Sequence, residues 1–409
     1  MRIKPLMIRR ALLLAVAATA CAVAATATAA GSPIEPRLTK ALTAPSLSLG
    51  RTAALAVDVA TGTVIYAHNS ALPVAPASNE KIPVSWAALT SLGPAYRFHT
   101  EVYGTGTRSG AAWDGDLILK GFGDPTLSTA DLNRLAGTIA GRGIHTVTGR
   151  ILGDESFYDR KRGAAGWKHY FIGGETPPLS ALVVDRARGW PALSPPLLAA
   201  RMFREALTRR GVTVVGRPGL GVAPLTAMTL ASDVSDPLAA IVRHMNHESD
   251  NFYAEMLLKQ LPAAGGKVGT SAGGGRLVIA TMREAGIPVD GIRIVDGSGL
   301  SSLDRLTADA LVGVIQAGAT DPTIRAAFVG SLAVAGMSGT LSHRLPALRG
   351  QVKAKTGTTN LACTLSGLIH NEVVFAVLEN GNPVSSWAAR SAQDKFVTIL
   401  AANGTPRKG

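Results

Sequence analysis

Ser78 and Lys81 stand three residues apart in Pro76-Ala77-Ser78-Asn79-Glu80-Lys81, where a loop is expected to enter a helix. Residues i and i+3 share a helix face, so the amine one turn on can reach the hydroxyl. A serine hydroxyl is a weak nucleophile at neutral pH until a base takes its proton, and the first helical turn sets it against exposed backbone N–H groups. The chemistry of such a pair is acyl transfer. S-x-x-K alone arises by chance in most chains of this length. Here Ser249-Asp250-Asn251 and Lys355-Thr356-Gly357 follow it, and three ordered clusters of this kind are far less common than any one of them.

Taken singly, each cluster also has a plain structural reading. Ser78 and Asn251 could be helix caps, and Lys355 an edge-strand lysine deterring aggregation. Gly269-Thr270-Ser271-Ala272-Gly273 satisfies G-x-S-x-G, but Pro262-Ala263-Ala264-Gly265-Gly266 stands where a nucleophile elbow needs a strand. A loop before a helix at 276–285 is expected instead. His244 and His247 lack the H-E-x-x-H spacing and have no cysteine cluster nearby, so they read as helix surface, and neither metal nor cofactor is expected. Asp124 and the Asp296-Gly297-Ser298-Gly299 stretch read as turns. Cys363, on a predicted strand, reads as a small buried residue.

The elements that must position these residues follow from periodicity. Leu55, Val57 and Val59, then Val64 and Tyr66, alternate on either side of Thr61-Gly62 and predict a hairpin. A helix over 78–92 with Ile82, Trp86 and Leu89 inward should carry the serine, with a kink beyond Lys81 because Pro83 lacks an N–H. Strands at 351–358, 362–369 and 373–378 form an antiparallel meander, and a closing helix over 385–401 offers Trp387, Phe396, Ile399 and Leu400 for packing. Residues 97–235 are richer in glycine and turn dipeptides, with strands at 117–119, 147–152 and 212–215 and helices at 131–142 and 197–210. The expected fold class is α+β: an antiparallel sheet built from both chain ends and flanked by helices, with one inserted α/β-type module. The domains expected are 31–96 plus 236–409 for catalysis and 97–235 for the insert.

Residues 1–30 read as a secretory signal peptide, with Arg2, Lys4, Arg9 and Arg10 before an apolar run and small residues toward Ala29. Whether it is cleaved or kept as a membrane anchor is left open. Ala18-Thr19-Ala20 before Cys21 does not suit a lipoprotein signal. Beyond the leader Cys363 is the only cysteine, so no intramolecular disulfide can form there. With 41 basic against 28 acidic residues the net charge is +13. Export and the absence of basic clusters interleaved with aromatics argue against nucleic acid, and the charge suits peripheral association with an anionic membrane or cell wall.

With these residues assembled, the chain resembles the low-molecular-mass class C penicillin-binding proteins, D-alanyl-D-alanine carboxypeptidases and endopeptidases of peptidoglycan. The resemblance spans nearly all of the chain beyond the leader. It rests on the three clusters and on Gly123-Asp124-Pro125-Thr126-Leu127, Pro178-Leu179-Ser180-Ala181-Leu182, the extension of the second cluster through Glu255, Asp296-Gly297-Ser298-Gly299-Leu300-Ser301, and Val334 through Leu341. It implies a penicillin-binding/β-lactamase-like fold, β-lactams as covalent inhibitors, and stem peptides as substrates. Ser78 would be the nucleophile and Lys81 the base, its pKa lowered by burial and by Lys355. Ser249 would relay a proton to the leaving amine, and Asn251 would hold the substrate amide and Lys81, with Asp250 pointing elsewhere. Lys355 and Thr356 would meet the terminal carboxylate. Gly357 would let substrate approach the strand, and the N–H groups of Thr358 and Ser78 would form the oxyanion hole.

Ser302 departs from the family pattern, which commonly has arginine there; Arg305 is the nearby alternative. A second inserted module found in many members is expected to be absent, since only residues 183–194 follow the Pro-x-Ser-Ala-Leu segment. Two other functions share these residues. A β-lactamase-type hydrolase would need a dedicated deacylating glutamate, and neither Glu255 nor Glu284 sits in such a loop. A non-catalytic peptidoglycan-binding protein would have little reason to keep three intact clusters. Carboxypeptidase and endopeptidase work both stay open.

Overall fold

A computed structural model describes residues 34–188 and 194–403; the leader and residues 189–193, within the stretch where a second module was expected to be missing, lie outside it. The chain enters on α1 (Glu35–Leu42) and forms the hairpin β1 (Thr52–Asp58) and β2 (Val64–His68) before α2 (Lys81–Leu92). It continues through β3 (His99–Ser109), β4 (Ala112–Gly121), α3 (Thr129–Gly141), β5 (Thr146–Val147), β6 (Ile151–Asp154) and the single turn α4 (Phe171–Gly174). Next come α5 (Pro195–Arg209), β7 (Thr213–Val214), β8 (Gly219–Leu220) and β9 (Met228–Val234). Then follow α6 (Leu238–His247), α7 (Asn251–Ala264), α8 (Ser271–Glu284), α9 (Ala308–Thr320) and α10 (Arg325–Gly330). Strands β10 (Ala333–Val334), β11 (Val352–Thr358), β12 (Ala362–Ile369) and β13 (Val373–Asn380) lead into α11 (Ser386–Asn403).

Two sheets result. One has six antiparallel strands in the order β10-β11-β12-β13-β1-β2, so the first hairpin and the last meander share it and β1 pairs β13 in register from Thr52 opposite Glu379 to Asp58 opposite Val373. Strand alternation gives this sheet two cores. Val374, Ala376 and Leu378 of β13, with Leu55 and Val57 of β1, face α2, α6, α7 and α9. Val373, Phe375 and Val377 face α1 and α11, where they meet Leu38, Leu42, Phe396 and Leu400. The other sheet, between residues 99 and 234, has seven strands with both antiparallel and parallel pairs; Val102, Leu117 and Leu119 pack on α3 and α5 beneath Leu135, Ile139, Phe203 and Leu207.

Several elements differ from the sequence reading. Residues Ala77–Glu80 form a 3-10 turn and α2 begins at Lys81, so Pro83 is its third residue, where a helix N–H has no intrahelical acceptor to lose. No non-helical residue interrupts α2 beyond Lys81; the change from 3-10 to α geometry falls before it, between Glu80 and Lys81. Helix α2 is buried on all sides from Lys81 to Leu89, which a single inward stripe did not anticipate. Helix α8 starts at Ser271, capped by the Thr270 hydroxyl, which accepts from the Gly273 amide. The strand expected at 147–152 is two, β5 and β6. Strands β3 and β9 have no counterpart in the periodicity, because glycine, threonine and charged residues interrupt their apolar alternation. Trp387 does not pack inward: the residue is 81% exposed.

Candidate active site

The 3-10 turn sets Ser78 between the sheet and α2. Asn79, fully buried, ties that turn down: its amide donates to the Lys355 carbonyl at 3.2 Å and to Thr364 Oγ1 at 2.6 Å, and the Thr364 hydroxyl donates to the Pro76 carbonyl. Ala77 (φ 46°) and Ser249 (φ 57°) lie in the left-handed region, a sparsely populated backbone state costing about 1–3 kcal/mol that flanks the two candidate hydroxyls. A Cβ on Gly299 (φ 80°) would lie 1.8 Å from the Ala77 carbonyl oxygen, so glycine is required for the 296–301 turn to pack against the serine. A Cβ on Gly357 would lie 2.3 Å from Thr364 Oγ1 and 2.8 Å from the Ser78 nitrogen. The need for glycine at 357 is therefore internal, since β11 runs directly beside the Ser78 amide.

Lys81 Nζ donates to Ser78 Oγ at 2.9 Å, to Asn251 Oδ1 at 2.8 Å and to the Ser298 carbonyl at 2.7 Å. Those three acceptors use all three ammonium hydrogens. The lysine is fully buried, and burial lowers its pKa to about 8 against the opposing pull of Asp296, Glu255, Asp250 and Glu80. Lys355, equally buried, donates to Ser249 Oγ and to the Thr356 carbonyl, each at 2.8 Å. Burial, and next the charge on Lys81, hold it well below the ordinary lysine range. Burial is thus the first cause for both lysines, and the repulsion between them disfavours a second charge on the pair.

The second cluster divides its work. Asp250 turns away, accepting from Arg186 Nη1 at 2.6 Å and capping α7 through the Tyr253 amide. Asn251, the first residue of α7, touches Lys81 with its oxygen and donates from its nitrogen to the Glu175 carbonyl at 3.1 Å. Thr356 Oγ1 is 2.8 Å from Thr340 Oγ1, and Thr358 lines a hollow of about 420 Å³ together with Ala77, Leu300, Ser302, Lys168 and Glu175. Arg305 does not line it; Nη1 donates to the Ser302 and Asp304 carbonyls.

Sequence reasoning missed several participants. It read the Asp296–Gly299 stretch as a turn alone. That turn supplies the Ser298 carbonyl to Lys81 and is itself held by Glu255, whose Oε1 accepts from the Gly297 and Ser298 amides at 2.8 and 2.9 Å. Glu255 is fully buried, and burial with Asp296 nearby pushes its carboxyl up to about 8. Asp296 in turn accepts from Trp167 Nε1 at 2.6 Å and from the Ser301 amide at 2.7 Å. Asp124 is the turn residue expected, accepting from the Thr126 amide, and Cys363 is buried. Ser271, the rival nucleophile, opens α8 and lines a separate hollow with Arg276 and Arg293. Among the described residues no cluster of three metal-ligating side chains occurs.

A serine against a buried lysine, on a helix packed beneath an antiparallel sheet, defines the class of acyl-transferring enzymes with a penicillin-binding/β-lactamase-like fold. The sequence pattern of the D-Ala-D-Ala carboxypeptidase 3 (S13) family matches residues 34–196 and 191–403, and the chain belongs to that family. It is 31% identical to carboxypeptidase DacB of Mycolicibacterium smegmatis over 90% of this chain and 83% of that protein. It is 28% identical to the D-alanyl-D-alanine carboxypeptidase of Actinomadura sp. over 87% and 82%. Penicillin-binding protein 4 of Haemophilus influenzae has the same fold, with a TM-score of 0.80 at 20% identity over 90% of this chain and 99% of that one.

Proposed function

We propose that this chain is an exported serine D-alanyl-D-alanine carboxypeptidase acting on peptidoglycan stem peptides and acylated by β-lactams. The observation that carries the mechanism is the 2.9 Å contact between Lys81 Nζ and Ser78 Oγ, with the lysine buried and its pKa lowered to about 8. As a free amine Lys81 keeps two donors for Asn251 and the Ser298 carbonyl and turns its lone pair to the Ser78 hydroxyl. Ser78 Oγ attacks the carbonyl carbon of the penultimate D-alanine while its proton passes to Lys81. The oxyanion is held by the Ser78 and Thr358 amides. Collapse breaks the C–N bond, and the proton that Lys81 took from Ser78 passes through Ser249 to the departing D-alanine, leaving Lys81 a free amine again. Water then attacks the acyl-enzyme while Lys81 takes its proton, and as the ester C–O bond breaks Lys81 returns that proton to Ser78 Oγ. Lys355 and Thr356 meet the terminal carboxylate, and Gly357 keeps β11 close enough to complete the oxyanion hole.

Asn251 orients Lys81 and the substrate amide. In this reading residues 31–96 and 236–409 form the catalytic domain and 97–235 an inserted one. Contacts from Trp167, Glu175 and Arg186 to Asp296, Asn251 and Asp250 support a role for that insert in bracing the site. When the leaving amine is the side chain of a neighbouring stem peptide instead of D-alanine, the same acyl-enzyme forms and water resolves it, so endopeptidase work uses identical residues.

Mass spectrometry after brief exposure to penicillin tests the assignment. The adduct is expected on the peptide carrying Ser78, to persist for many minutes, and to vanish in Ser78→Ala. An adduct on Ser271 would overturn the assignment, and loss within seconds would make the protein a β-lactamase-type hydrolase.

A further inference from the structure

On the face of the six-stranded sheet covered by α1 and α11, a groove of about 1080 Å³ runs between these helices and the 344–348 loop. Its floor is apolar: Ala41, Leu345, Leu348 and Ile399 line it. Its rim is cationic, with Arg37 and Lys40 from α1 and Arg390 and Lys395 from α11. None of these four forms an ion pair among the described residues. The rim's one acid, Asp394, is already paired with Arg344 at 2.6 Å. Trp387 stands at the edge, the residue 81% exposed, and the hollow continues past it to Pro45 and Ser46.

We infer that this face docks on the headgroup layer of an anionic lipid bilayer. An exposed indole gains nothing from a soluble polyanion but is accommodated at the boundary between headgroup and acyl chain. An exposed indole beside lysine and arginine is the arrangement that settles there, the indole and the long side-chain stems lying in the apolar layer while the charges stay wet. Arg37, Lys40 and Lys395, none of them ion-paired among the described residues, supply the attraction to anionic lipid, while Arg390 donates to the Thr358 hydroxyl at 3.2 Å.

The test uses the full chain and reads Trp387 itself, as the difference between the emission of the native protein and of Trp387→Phe. Phosphatidylglycerol vesicles at low salt are expected to shift that difference spectrum to the blue, phosphatidylcholine vesicles to leave it in place, and added salt to reverse the shift. Reversing charge in the triple variant Arg37→Glu, Lys40→Glu, Lys395→Glu is expected to raise the lipid concentration needed by at least about tenfold. Release of D-alanine from a soluble peptide should be unchanged in it. A difference spectrum unmoved by phosphatidylglycerol, or moved equally by phosphatidylcholine, overturns the inference. Polyphosphate producing the same shift, lost in the same variant, would assign the face to an anionic polymer instead.

Discussion

The Ser298 carbonyl oxygen lies 2.7 Å from Lys81 Nζ, which makes a main-chain group the third partner of the candidate base. Its position is set from α7. That helix begins at Asn251, which touches Lys81 directly, and one turn on Glu255 accepts the Gly297 and Ser298 amides that aim the carbonyl. One helix therefore holds the lysine twice, once by contact and once through a turn.

If Glu255 positions that carbonyl, Glu255→Ala should lower kcat/KM about 10- to 100-fold, the equivalent of the hydrogen bond between Lys81 and the Ser298 carbonyl that it would misalign. Glu255→Gln keeps an oxygen for both amides and should retain most of the activity. The pH profile separates positioning from mere packing. Removing a carboxyl that raises the Lys81 pKa should move the acid limb of the glutamine variant to lower pH. Equal losses in both variants with an unmoved profile would make Glu255 a packing residue only.

Acylation should rise with pH through about 8, because below that value Lys81 is an ammonium with no lone pair for the Ser78 proton. The sign follows from burial, which favours the neutral amine. Single-turnover acylation by a penicillin across pH 6–10 measures it, and Lys81→Ala should be slower by about 10² to 10⁴ with the limb gone. A limb below pH 6 in the native protein would assign the base elsewhere.

Lys355→Ala should impair turnover of peptides ending in a free carboxylate more than reaction with a simple acyl ester. Its ammonium faces Ser249 and the Thr356 carbonyl, beside the strand where that carboxylate is expected. Comparing kcat/KM for the two substrate types decides the point; equal losses would mean that Lys355 acts on the Ser249 hydroxyl alone.

Ser302 lines the hollow beside the serine and cannot make the bidentate bond to a carboxylate that arginine makes. Arg305 is occupied by main-chain carbonyls, so the cation lining that hollow is Lys168. The native enzyme should therefore prefer peptides with a third-residue carboxylate by less than about 1 kcal/mol, and Ser302→Arg should widen the gap toward about 1.5–3 kcal/mol. Strong native preference that survives Arg305→Ala and disappears in Lys168→Ala would show the lysine doing the arginine's task.

Local spacing made much of this protein legible from its sequence. The spacing of Ser78 and Lys81, the alternation of β1 and of the final meander, and the ordered clusters at 249–251 and 355–357 are all short-range patterns; the alternation implies its strands through backbone periodicity alone. What only the tertiary structure decided depends on groups distant in sequence. The Ser298 carbonyl is invisible in a sequence because every residue has one, and it becomes a partner of Lys81 only where Gly299 lets its turn meet Ala77. The low pKa of Lys81 arises from burial on every side of α2, which periodicity read as one buried face. Trp387 carried an inward reading because an aromatic on a helix usually packs; it faces outward because Phe396, Val397 and Leu400 already fill the sheet side of α11.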